Sequence, residues 1–243
     1  MRSIPLLLVA LMVPLAAPAQ DWKTVTVVED GFRSNYPGDP KVERITYDTE
    51  FNLKLPGRLY RAADDFGRYF TTVVDYRGAQ RLHDERAAKC RAANGANQQD
   101  GDSCQNDFVM EVAGATDHAL ARYLTRDGVK VTQFGTYFLD LVAGRQAQLT
   151  NPDKSRTYVA VHQHAGRLYI QEATVPAGMP EPLLFLQSLA WVNEEGKAIR
   201  YRTLYTEGYA DWKFPQPAAP PHTLRDLDSS LEQPPGKPPP KPR

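Results

Sequence analysis

His162 and His164 stand two apart in Tyr158-Val159-Ala160-Val161-His162-Gln163-His164, a run whose β-branched content reads as a strand. Side chains two apart leave the same face of a strand, so both imidazoles can approach one divalent metal ion. A metal site needs a third ligand, and His83, His118 and Glu172 are the candidates; no spacing fixes any of them. The pair would serve a metal-dependent or hydrolytic enzyme. The competing reading is a half-exposed sheet face of Tyr158, Ala160, His162 and His164 with hydrogen-bonded rings.

Other residues with chemical potential carry weaker patterns. Ser188 sits in Leu-Gln-Ser-Leu, without the Gly-x-Ser-x-Gly elbow that exposes a nucleophile, and reads as a serine bonded to its own backbone. Asp64-Asp65 and Glu194-Glu195 fall in expected turns, where adjacency does not build a catalytic pair across a cleft. Gly144-Arg145-Gln146-Ala147 lacks the further glycines of a nucleotide loop. Asp100-Gly101-Asp102 lacks the later glutamate of a calcium loop. No catalytic residue, resident metal or cofactor is expected, and an enzyme is the lesser reading.

Cys90 and Cys104 flank a polar segment, Arg91 to Ser103, with few apolar side chains to anchor it. A disulfide is the favoured reading in an oxidising compartment, with metal ligation and free thiols as alternatives. The start of the chain supports such a compartment. Met1-Arg2-Ser3 precedes an apolar run from Ile4 to Leu15 and then Ala16-Ala17-Pro18-Ala19, the order of a cleavable signal peptide over residues 1–19. The run is too short to span a bilayer, which takes roughly 20 apolar residues, so stable membrane insertion is not expected. The expected location is periplasmic or secreted.

Lys and Arg number 29 against 29 Asp and Glu, and the leader removes only Arg2 from that balance. Such neutrality provides no draw toward nucleic acid. Residues 20–214 read as one domain, and 215–243 as a disordered proline-rich tail with too few apolar side chains to offset its ordering entropy.

Within the domain, strand chemistry recurs at Trp22 to Val28, Val42 to Tyr47, Gly57 to Ala62 and Arg68 to Tyr76. Helices are expected over Ala79 to Ala93 and Thr116 to Arg126, the second capped by Thr116 and stopped by Gly128. Strands follow at Val129 to Leu139, Leu141 to Leu149, Arg156 to His164 and Arg167 to Val175, the last two joined by a tight Ala165-Gly166 turn. A helix over Pro182 to Ala190 and a strand near Ala198 to Arg202 close the pattern. Tyr201, Tyr205, Tyr209, Trp212 and Phe214 suggest a terminal strand laid on the core, with a carbohydrate or partner surface as the alternative. The class is α+β, an antiparallel sheet flanked by helices.

Three phrases extend this reading: Phe32-Arg33-Ser34-Asn35-Tyr36-Pro37, Gly166-Arg167-Leu168-Tyr169-Ile170, and Phe185-Leu186-Gln187-Ser188-Leu189-Ala190-Trp191. Their order resembles the PsbP/Mog1 group, and the chain feels closest to uncharacterised exported bacterial proteins of that type. The resemblance implies an α/β/α sandwich over about residues 30 to 202 and a non-enzymatic binding or assembly module of the bacterial envelope. Its partner would be another envelope protein or a small ligand.

Overall fold

The strand signals resolve into a seven-stranded antiparallel sheet in a computed structural model that describes residues 22–94 and 104–207. Residues 1–19, read above as a signal peptide, Asp100 to Asp102, Tyr209, Trp212, Phe214 and the proline-rich segment 215–243 lie outside those residues. In chain order the elements are β1 (Trp22–Val27), β2 (Phe32–Pro37), β3 (Lys41–Asp48), β4 (Lys54–Ala63), β5 (Arg68–Asp75), α1 (Ala79–Asn94) and α2 (Phe108–Leu124). Then come β6 (Lys130–Leu139), β7 (Val142–Thr150), β8 (Arg156–His164), β9 (Arg167–Val175), α3 (Leu183–Leu186) and β10 (Ala190–Trp191). The large sheet runs β3-β4-β5-β9-β8-β7-β6, and a small sheet runs β1-β2-β10. The fold is α+β, as expected.

Alternation along the strands divides the core in two. Leu149, Val159, Val161, Leu168 and Ile170 face one side, where Ala115, Ala119, Leu120 and Tyr123 of α2 close over them. Tyr69, Tyr158, Tyr169 and Ala173 face the other, under Phe32, Tyr36, Phe185 and Trp191. One flank is therefore helical, and the other is the small sheet with α3. Sandwiched between both layers, β8 is buried from Thr157 to His164, and β9 nearly so.

Several boundaries differ from expectation for identifiable reasons. α2 starts at Phe108, so Thr116 lies inside it rather than capping it. Glu111 breaks the apolar stripe of its first turns yet is fully buried, accepting a 2.7 Å hydrogen bond from Thr49 and facing His83 Nε2 at 3.4 Å. The closing helix is a single turn because the chain leaves it to pair β10 with β2, Trp191 opposite Phe32. β2 itself was not expected as a strand. Its buried positions Phe32, Ser34 and Tyr36 include a serine, which dilutes the apolar alternation. No strand forms near Ala198 to Arg202; Ala198 makes one antiparallel bridge to Val192, and Tyr205 one parallel bridge to Val142.

The turn at Ala165-Gly166 is as expected, with φ of 50° and 69°, the left-handed pair of a two-residue hairpin. Asp140-Leu141 repeats the device between β6 and β7, with φ of 51° and 64°.

Cys90, near the end of α1, is bonded to Cys104, which precedes α2, with Cα atoms 5.5 Å apart. The bond closes the loop that joins the two helices. Reducing it should lower unfolding stability by about 3 kcal/mol in the chain-entropy picture, read as a drop in denaturant midpoint with dithiothreitol that a Cys90→Ser/Cys104→Ser double variant abolishes. An unchanged midpoint would show that the helix pair does not depend on the link.

Candidate functional site

β8 brings His162 and His164 to one face, as the spacing required, but delivers them into the core rather than a half-exposed surface. His162 is 0% exposed and His164 3%. Trp191 stacks on the His164 ring at 4.6 Å and 17°, and meets His162 edge-on at 5.8 Å and Tyr169 at 5.0 Å. Tyr201 places its hydroxyl 2.7 Å from His164 Nε2. His162 lies against Gly144 on β7: a Cβ there would come 2.4 Å from Nδ1 and 2.3 Å from the Val161 carbonyl. Glycine is the residue that lets the imidazole in. Neither His162 nitrogen makes a hydrogen bond of good geometry.

The proposed third ligands are on the wrong side. Glu172 pairs directly with Val159, whose side chain faces α2, and accepts a 2.9 Å hydrogen bond from Tyr123 of that helix. His83 contacts Glu111 in the helical layer, and His118 is carried on α2. Among the described residues no cluster of three His, Cys, Asp or Glu side chains forms a ligand set. In the described structure both histidine rings pack against Trp191 between the layers.

Their burial has a pH consequence. Desolvation pulls His162 from 6.5 to about 4, partly opposed by the nearby backbone of Ala143 and Val142; it also pulls His164 to about 4, assisted by Arg167. Both are neutral in the fold and readily protonated when unfolded. Folded pKa values below the unfolded value make stability rise with pH, with the contribution complete above about 6.5 and lost as pH falls toward 4. Between pH 7 and pH 5 each histidine should remove about 2 kcal/mol of unfolding free energy. Denaturant titrations of the wild type and His162→Phe at the two pH values check this. The variant should lose about half of the slope from the pair, whereas an unchanged slope would contradict neutral buried rings.

Ser188 is also structural. Its hydroxyl donates to the Phe185 carbonyl at 2.7 Å and accepts from the Asn35 amide at 2.8 Å, while Ser34 stands 2.8 Å away. Gln171 Nε2 reaches Ser34 Oγ and the Phe185 carbonyl, each at 3.3 Å, completing a polar chain between β9, β2 and α3. Asp64 accepts amide hydrogens from Phe66 and Gly67 in its turn, and the amides of Glu195 and Lys197 close on Asn193. Tyr205 accepts from the Ala165 amide at 3.0 Å, so the segment before residue 208 lies over the end of the β8–β9 hairpin.

β6 is the strand expected from Val129 to Leu139; the feature that sequence reasoning missed is its place at the open edge of the sheet. No strand among the described residues pairs with its outer edge. The two-residue Asp140-Leu141 turn makes Leu139 and Val142 a hydrogen-bonded closing pair. Gln133, Gly135, Tyr137 and Leu139 therefore bond to β7, and the backbone groups of Phe134, Thr136 and Phe138 point outward. The Ala143 amide agrees, since it points away from β6 to the Tyr205 carbonyl at 2.9 Å.

Side chains reinforce that exposure. Phe134 and Phe138 are 58% and 51% exposed on the face that α2 covers over β7, β8 and β9. From Val131 to Leu139 the strand has no charge. The opposite edge, β3, carries Lys41, Glu43 and Arg44, and Glu43 accepts a 2.7 Å hydrogen bond from Arg61. Charges of that kind guard an edge against pairing; β6 has none after Lys130.

On its other face β6 borders a groove of about 80 Å³ lined by Gln133, Tyr137, Gln148, Tyr158, Glu181 and Leu183. Ligand sites for small molecules run to several hundred Å³, so this recess is the size of a side chain. The only signal in the sequence was the long uncharged run between Lys130 and Asp140.

No family model matches the sequence, and no curated protein matches it significantly. Among solved structures, the solution structure of cyanobacterial PsbP (CyanoP) from Synechocystis sp. PCC 6803 aligns with 74% of this chain and 98% of that one, at 8% identity and a TM-score of 0.40.

Proposed function

We propose that the chain is an exported, non-enzymatic binding module of the bacterial envelope that docks another polypeptide along the open edge of β6. The observation that carries this reading is the outward backbone of Phe134, Thr136 and Phe138, flanked by two exposed phenylalanine rings and free of charge. An extended segment laid there gains main-chain hydrogen bonds from the edge and apolar contact from the rings. The side-chain-sized groove beneath Tyr137 adds a place for one residue of the docked segment.

Export is supported by the leader-like residues 1–19 and by the Cys90–Cys104 bond, which persists in oxidising compartments. No helix among the described residues is long and apolar enough to cross a membrane. An enzyme built on His162 and His164 draws no support from their packing against Trp191.

A photo-reactive phenylalanine analogue at Phe138, in the full chain within cells, tests the surface. Irradiation should give an adduct of discrete size that disappears with Phe134→Lys, while the analogue at Val42 on β3 gives none. Equal adducts from both edges, or none from Phe138, would overturn the proposal.

A further inference from the structure

The β6 edge is complementary to itself. Two β6 strands placed antiparallel about a two-fold axis through Thr136 pair Phe134 with Phe138 of the second copy, and Phe138 with its Phe134. Thr136 pairs with Thr136. All three positions present outward amide and carbonyl groups, so each pair exchanges hydrogen bonds in both directions. Aromatic pairs and threonine pairs at directly opposed positions are among the favourable cross-strand combinations.

On the groove face the same register sets Tyr137 opposite Gly135 of the second copy, an aromatic ring over a glycine that would otherwise leave a gap.

Space permits the arrangement. α2 packs over β7, β8 and β9, so the face of β6 carrying Phe134 and Phe138 is open. With two β6 strands side by side, the four phenylalanine rings form the floor of a channel between the α2 helices of the two copies. The irregularity between Val131 and Gln133 limits regular pairing to the stretch that begins at Gln133.

We infer that the partner docked on β6 is a second copy of this chain, forming a two-fold dimer with one continuous sheet across the junction. This rests on the reading of β6 as the docking edge and narrows it to one occupant.

Sedimentation equilibrium of the purified full chain tests it. A monomer–dimer equilibrium is expected, weakened about 100-fold by Phe134→Lys because each substitution acts twice across the axis. Thr136→Pro should do the same while preserving the thermal midpoint, since the Thr136 amide points outward and an edge strand tolerates proline there. A monomer at every concentration up to about 100 µM, or a dimer that both variants leave intact, would overturn the inference. The Phe138 adduct separates this failure from failure of the broader reading. An adduct holding only peptides of this chain supports the dimer; an adduct with a different protein removes the dimer and leaves β6 as a docking edge.

Discussion

Trp191 sets the relation between the two layers, and most of the structure depends on where it sits. The residue is fully buried, stacked on His164, edge-on to His162 and Tyr169, and carried on a strand of only two residues. So short a strand cannot hold itself; its position comes from pairing with β2 and from the rings beneath it. Two histidines serve here as flat, neutral partners that a charged form would destroy. A second link lies beside it, in the connection between β1 and β2, where buried Asp30 accepts from Arg58 Nε at 2.6 Å and from the Tyr60 hydroxyl, and its carbonyl accepts from Tyr169 at 2.7 Å. Together these contacts close one face of the large sheet along β9 and β8. Among the described residues this closure buries both histidine rings.

What the amino-acid sequence revealed, and what it hid, follows from where each element draws its stability. β8 and β9 were legible because their β-branched and aromatic content and the Ala165-Gly166 turn all point the same way. That turn also fixes the register, His162 with Tyr169 and Val159 with Glu172. The exclusion of Glu172 from the histidine face was therefore readable in principle from parity alone. The start of α2 was not, because buried Glu111 is acceptable only with Thr49 and His83 supplied from elsewhere in the chain. β2 and the end of α3 were hidden in the same way. Ser34 and Ser188 look polar and local, but they are partners across the layers. An edge position leaves no mark in local sequence at all: β6 and β3 are both strands, and only assembly of the sheet shows that both are outermost.

The two edges are treated differently, and that contrast carries the functional account. β3 displays Lys41, Glu43 and Arg44, the usual means of keeping an edge solitary. β6 displays a neutral strand with two exposed rings on one face and tyrosine and glutamine on the other. Exposed edges of this kind associate unless something prevents it. Among the described residues one edge is protected and the other is bare, which gives the sheet a direction in which it can be extended.

The most direct measurement is residue-resolved amide hydrogen exchange along β6. Gln133, Gly135 and Tyr137 bond inward to β7 and should exchange slowly under all conditions. Phe134, Thr136 and Phe138 should exchange fast in dilute protein and become protected when the edge is docked, as concentration rises or the cellular partner is present. Fast exchange at these three positions under every condition would contradict the account.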